Sequence, residues 1–386
     1  MTRDFETKTS FIHRKNAIVP GYWPIALDIG YSAVKGFSPN NVFVFPSFAR
    51  KTSGQMLAMG EASPYDIQYK DNNGIWNVGY SAIASMTIGD SNDSLNSLYG
   101  RNRYFAPMFL VLARVGLGVA MMQNEFGKPE NEKVILQTGL PPAYLTADAP
   151  LLKEALSGRH QFSLKIGDGK WINFDISLKE NDIRIMAQPM GSLLGATLTS
   201  EGLPTPNANR YLQSNMLILD AGFGTVDLFN VLHRQIKSSE SFDDLGMKAV
   251  LQRTAEKIYQ KYHVEIPVHT MQRYLHNGTI QTFDRHTMTT KEEPFEDILR
   301  QCSHEVCMET LERIKTMYNN LLDYQYLLIT GGTGAAWYHD IKNHFLRMQT
   351  LTVIGANQSD NLPQIYSNVR GYYLYQIGTL KAALRK

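Results

Sequence analysis

The strongest constraint in this chain is a pattern that occurs twice: an apolar strand, an aspartate, a glycine two residues on, and a second apolar strand. IALDIGYSAVKGF starts at Ile25 and LILDAGFGTVDLF at Leu217. Apolar runs broken by glycine read as paired strands joined by a tight turn. One Asp-x-Gly turn is commonly no more than a turn whose acid accepts backbone hydrogen bonds. Two such units, each near the start of one half of the chain, predict a duplicated α/β fold with a cleft between the halves. A further apolar strand, Tyr326–Thr330, runs into a third glycine turn, GGTGAAW.

Composition narrows the function classes. A length of 386 residues allows two or three domains. With 38 basic and 36 acidic residues the formal net charge is +2, which argues against direct contact with nucleic acid. The only cysteines, Cys302 and Cys307, exclude a disulfide framework and fit a reducing cytoplasm. They also fall short of the four ligands of a structural zinc site. The N-terminal stretch has no apolar core and is not a secretory signal. The run Met108–Met122 is interrupted by Arg114 and is too short to span a bilayer, so it reads as a buried helix and no membrane partner is expected.

Along the chain, residues 1–20 are polar and aperiodic and read as a flexible N-terminal arm. The runs Ile25–Ile29, Ala33–Phe37 and Val42–Phe45 form a strand meander, followed by a small insertion at about 51–80. Helical patterns cover Arg103–Glu125, Gly246–Tyr262 and Phe295–Leu322, and the chain ends in an amphipathic helix. The Thr-, Pro- and Asn-rich segment Thr197–Asn209 marks a domain boundary. Domain I therefore spans 21–205, completed by about 355–386, and domain II spans 206–354. Tyr65, Tyr69, Trp76 and Tyr338 are candidates either for subunit contacts or for small local cores.

The repeated turn suits a nucleoside triphosphate with magnesium. Phosphates need close backbone N–H donors, so glycine must line the turn. Magnesium keeps several waters and is held through one or two carboxylates. Asp28 and Asp220 end their strands where they can hold metal-bound water, with Gly30 and Gly222 two residues on. Thr225 adds a hydroxyl, and Lys35 can neutralise phosphate charge.

These elements, in this order, resemble the actin/Hsp70/sugar-kinase ATPase superfamily. The resemblance rests on DIGYSAVK (Asp28–Lys35), PMGSLLGA (Pro189–Ala196), DAGFGTVD (Asp220–Asp227), ITGGTGAA (Ile329–Ala336) and SNVRGYYLY (Ser367–Tyr375). The tyrosine after DIG, FPS at Phe45–Ser47, TGLP at Thr138–Pro141 and NVRG at Asn368–Gly371 further resemble ParM-type plasmid-segregation actins and their archaeal relatives.

The resemblance implies an actin-like, ribonuclease H-like duplicated two-domain fold with a nucleotide cleft. It implies a filament protein that binds and hydrolyses ATP or GTP with Mg2+, acting on DNA only through a DNA-bound adaptor. By position, Asp28 and Asp220 would serve the metal, and Gly30, Tyr31, Ser32 and Lys35 the phosphates. Gly222, Gly224 and Thr225 would cradle the β- and γ-phosphates, and Gly331, Gly332 and Thr333 would flank the nucleoside. Asp227 supports its turn. One departure bears on catalysis: where ParM-like chains carry Gln or Glu after the proline of PMGSLLGA, this chain has Met190. Either Gln188 takes over the orientation of water, Asp220 carries more of the task, or hydrolysis is slow. The alternative function is a non-polymerising small-molecule kinase of the sugar-kinase branch.

Overall fold

A computed structural model describes residues 2–52, 63–85, 101–233 and 235–385. The chain forms two compact units. The first comprises Lys8–Ser85, Ser91–Leu212 and Ala356–Lys386; the second comprises Gln213–Gly355 with the N-terminal residues up to Thr7.

The first unit begins with strands β1 (Ser10–His13), β2 (Tyr22–Ile29), β3 (Ala33–Phe37), β4 (Asn41–Pro46), β5 (Ala49–Lys51), β6 (Ile67–Asp71) and β7 (Gly74–Val78). Helices α1 (Tyr80–Ala84) and α2 (Pro107–Met121), strand β8 (Lys133–Leu140) and helix α3 (Leu145–Leu156) follow. Then come β9 (Gly158–Ile166), β10 (Ile172–Leu178), β11 (Ile183–Ala187), α4 (Gln188–Thr197) and α5 (Ala208–Gln213). The second unit contains β12 (Met216–Ala221), β13 (Val226–Leu232), β14 (Gln235–Phe242), α6 (Met247–Tyr262), α7 (Met271–Asn277), β15 (Thr279–Asp284) and β16 (Thr289–Pro294). It closes with α8 (Glu296–Met317), β17 (Tyr326–Thr330), α9 (Gly332–His344) and β18 (Thr352–Gly355), after which α10 (Ser367–Leu384) completes the first unit.

The duplication is visible in the sheets. The first unit orders its main sheet β1-β4-β3-β2-β8-β11, and the second orders its own β14-β13-β12-β17-β18. In both, an antiparallel hairpin leads into two parallel neighbours. β2 is buried along almost its whole length, as expected for a strand covered on both faces. Leu27 and Val34 face Gly116 of α2, while Ala26, Ala33 and Phe37 pack with Val369, Tyr372 and Tyr373 of α10.

Three expectations are revised. Residues 1–20, read as a free arm, include a strand: β1 pairs antiparallel with β4 from Ser10↔Val44 to His13↔Asn41, because Phe11 and Ile12 supply the strand-forming side chains that an open sheet edge accepts. Residues 51–80, read as a small insertion, contribute β6 and β7 to a five-stranded sheet with β9 and β10. Within it Tyr69 is a core residue, 0% exposed; its ring stacks on Phe162 at 5.7 Å and its hydroxyl accepts from Arg114 Nη1 at 2.8 Å. The charge that interrupts the apolar helix is thereby matched, since Arg114 also pairs with Asp71 at 3.1 Å. Finally, α10 is buried all round over its first half instead of amphipathic, because strands cover one side of it and α4 the other.

The α4–α10 crossing is the tightest packing in the first unit. A Cβ on Gly371 would lie 1.7 Å from the Gly191 carbonyl oxygen, and one on Gly191 would lie 2.4 Å from Tyr372 Cε1. Neighbouring residues lock the crossing: Ser192 Oγ donates to Asn368, and Arg370 donates to the Gly195 carbonyl while pairing with Asp360 at 3.0 Å. The NVRG motif thus has a packing role at each of Asn368, Arg370 and Gly371. Because the obstacle to a side chain is backbone, Gly371→Ala is expected to destabilise the fold by about 3 kcal/mol or more. Urea denaturation followed by circular dichroism checks this, and an unchanged midpoint would refute it.

Candidate functional site

The first turn, between β2 and β3, is closed by Gly30 N donating to the Ala33 carbonyl at 3.0 Å. Three more of its carbonyls are held from within. Arg103 Nη2 donates to the Ile29 carbonyl at 3.0 Å, Ser47 Oγ to that of Gly30 at 2.7 Å, and Ser47 N to that of Ser32 at 2.9 Å. Carbonyl groups of Ile29, Gly30, Ser32 and Ala33, which would repel a phosphate, are therefore engaged, in a turn suited to an anion.

Beside the turn, strand register places Lys35 directly opposite Asp28. Lys35 Nζ binds Asp28 Oδ2 at 3.0 Å, and Gln188 Nε2, at the start of α4, binds Asp28 Oδ1 at 3.1 Å. Asp28 is only 2% exposed, so its charge is matched by one cation and one amide. The first unit thus gathers Asp28, Gly30, Tyr31, Ser32, Lys35 and Gln188 at one place. Gln188, two residues before Met190, is the residue of its segment that reaches the aspartate. Sequence reasoning missed the two braces: Ser47 was signalled by the FPS triplet, whereas Arg103 had no sequence signal.

The second turn repeats the first. Gly222 N donates to the Thr225 carbonyl at 2.9 Å, and Asp227 stands opposite Asp220 where Lys35 stands opposite Asp28. The Thr225 hydroxyl, expected to add a phosphate contact, donates instead to Asp227 at 3.1 Å, and Ser241 donates to the other carboxylate oxygen at 2.5 Å. Asp227 therefore supports the turn. Burial pushes its pKa up to about 7, with the nearby Asp220 charge adding and the two hydroxyl donors opposing.

The N-termini of two helices meet this second turn. Lys248 N of α6 donates to the Phe223 carbonyl at 2.8 Å, and Thr333 Oγ1 of α9 donates to that of Gly222 at 2.6 Å. Gly331 has φ +84, and a Cβ there would lie 2.2 Å from the Ala221 carbonyl oxygen and 2.6 Å from Asp220 Oδ1. Only glycine fits. The second unit thus assembles Asp220, Gly222, Gly224, Thr225, Gly331, Gly332 and Thr333 around one strand end, with the amide end of α9 beside it, a favourable setting for negative charge. Among the described residues no cluster of three or more His, Cys, Asp or Glu side chains forms a metal cage.

Residues 26–191 match the family "Actin like proteins N terminal domain". Solved structures resemble nearly the whole chain. The non-polymerisable quadruple mutant of pCBH ParM aligns at 17% identity and TM-score 0.68, covering 93% of this chain and 99% of its own. The chain has the actin-like fold. Other actin-like neighbours are a 15-stranded ParM filament from Clostridium botulinum, at 16% identity and TM-score 0.66 over 93% of this chain and 99% of that one, and the archaeal actin homologue Ta0583 in complex with ADP. The latter aligns at 15% identity and TM-score 0.59 over 94% of this chain and 100% of that one. No curated protein sequence matches this actin-like chain.

The raised pKa of Asp227 predicts a pH dependence of stability. From the ordinary value of 3.8 up to about 7 the native state holds a proton that the unfolded chain has lost. Stability from this group is therefore complete below the ordinary carboxylate pKa and declines as pH rises through about 7. Asp227→Asn should flatten that decline, as measured by thermal melts across the interval; a variant whose pH profile parallels the parent would refute the assignment.

Proposed function

We propose that this actin-like chain is a cytoplasmic filament-forming protein that binds and hydrolyses ATP or GTP with Mg2+, and that its polymer segregates plasmid DNA through a DNA-bound adaptor. The observation that carries the reading is the turn built twice with the same backbone bond, each time beside a buried aspartate. The fold it shares with ParM filaments and with an ADP-bound archaeal homologue supports it. The near-balance of charge, +2 overall, favours an adaptor over direct DNA contact. Among the described residues no helix is long and apolar enough to cross a membrane.

The donors fit magnesium. Single carboxylates at strand ends, without a caging cluster, suit an ion that keeps most of its waters. Asp28 and Asp220 are the proposed carboxylates, and bound magnesium would supply charge neutralisation at the phosphates. Lys35 adds a second positive charge. In the hydrolytic step a water oxygen forms a bond to the γ-phosphorus as the bond to the bridging oxygen breaks, and the water's protons pass to phosphate and solvent. This chemistry depends on positioning more than on a strong base. Gln188, with its amide nitrogen on Asp28, keeps its carbonyl oxygen to accept a hydrogen bond from that water.

Two measurements test this. Sedimentation with ATP or GTP and magnesium should yield polymer; no pellet across a broad concentration range, with turnover appearing only on adding an acceptor, would favour the kinase reading. Gln188→Ala should lower turnover by about tenfold or more with nucleotide affinity retained. Unchanged turnover would remove Gln188 from the mechanism.

A further inference from the structure

Arg103 lies outside every motif read from the sequence, and its surroundings are unusual for a cation. The residue is 7% exposed. The guanidinium carbon sits 4.6 Å from the centre of the Tyr31 ring, and 5.5 Å from the rings of both Tyr104 and Phe109. Nη2 donates to the Ile29 carbonyl at 3.0 Å. Among the described residues Arg103 forms no ion pair. Asp28 is bound by Lys35 and Gln188, and Asp148 accepts from the Tyr104 hydroxyl at 3.0 Å. An arginine this deeply buried is normally matched by an anion. Aromatic faces offset part of its lost hydration, yet they bring no negative charge.

We propose that Arg103 is a positioning residue of the first turn whose charge, without an ion-pair partner among the described residues, serves the phosphate chain of the bound nucleotide. It holds the turn at two points, the Ile29 carbonyl and the Tyr31 ring, so that the Gly30–Ser32 segment is preset for an anion. Its charge, lying behind the turn in a poorly solvated setting, adds to the field that the phosphates meet. The proposal rests on the nucleotide-binding reading and adds a requirement to it: the effect must grow with the number of phosphates.

The test compares ATP, ADP and adenosine binding, with magnesium present for the two nucleotides, in full-length Arg103→Gln, Arg103→Lys and unaltered protein, together with the salt dependence of ATP affinity. Arg103→Gln keeps a donor for the Ile29 carbonyl and loses the charge. It should weaken ATP on the order of tenfold to a hundredfold, ADP less, and adenosine by under about twofold, with a shallower salt dependence. Arg103→Lys, which keeps the charge and loses the planar stack on Tyr31, should fall between the other two proteins in ATP affinity. Unchanged ATP binding in Arg103→Gln, or equal losses for ATP and adenosine, would overturn the proposal, because a purely structural residue does not count phosphates. Should Arg103→Gln fail to fold, the lysine variant decides alone: a loss that grows from adenosine to ADP to ATP supports the proposal, and no loss or one shared equally by adenosine overturns it. If the unaltered protein binds no nucleotide, the nucleotide reading falls first and this inference with it.

Discussion

The contact on which the candidate chemistry of the first unit depends is one of backbone against backbone. Helices α4 and α10 approach so closely at Gly191 and Gly371 that a single methyl group would overlap a carbonyl oxygen. Interiors at crystal-like density transmit such displacements instead of absorbing them. The first residue of α4 is Gln188, and it reaches Asp28 at 3.1 Å. A helix crossing one turn along α4 therefore sets whether the amide meets the carboxylate. Asn368, Ser192 and Arg370 hold that crossing with hydrogen bonds between the two helices and to the loop beside them.

The two halves show how a duplicated element diverges in electrostatics while conserving geometry. Both turns close with the same glycine-to-carbonyl bond, and both place a residue opposite the strand-ending aspartate. In the first half that residue is Lys35, which forms an ion pair. In the second it is Asp227, which faces a like charge and is held by Ser241 and Thr225. One turn thus sets a cation opposite its aspartate and the other sets a second carboxyl group there, whose protonated form burial favours.

Much of the fold was legible in advance. The apolar runs of β2, β3, β4, β12, β13 and β17 were visible as short β-branched, aliphatic and aromatic segments beside turn residues, and the repeated Asp-x-Gly announced the duplication. Partnership between distant segments was not legible. Tyr69 could serve a subunit contact or a local core by its sequence, and only Phe162 of β9 and Arg114 of α2 decide for the core. Likewise, Phe11 and Ile12 read as a polar arm's stray apolar pair until β4 offers an open edge. The α10 pattern is amphipathic by its last turns, and only the covering by α4 explains why Arg370 is buried and paired.

What the sequence by itself determined is the set of turns and the residue types they carry, because glycine, aspartate and strand periodicity act over a few neighbouring positions. What only the tertiary structure decided is which groups stand behind those turns. Ser47 and Arg103 brace the first turn from positions well separated along the chain, and Thr333 ties α9 to the second. A buried charge or hydroxyl is placed by the need to satisfy hydrogen bonds away from water. That requirement acts between groups brought together by packing and leaves no local pattern in the chain.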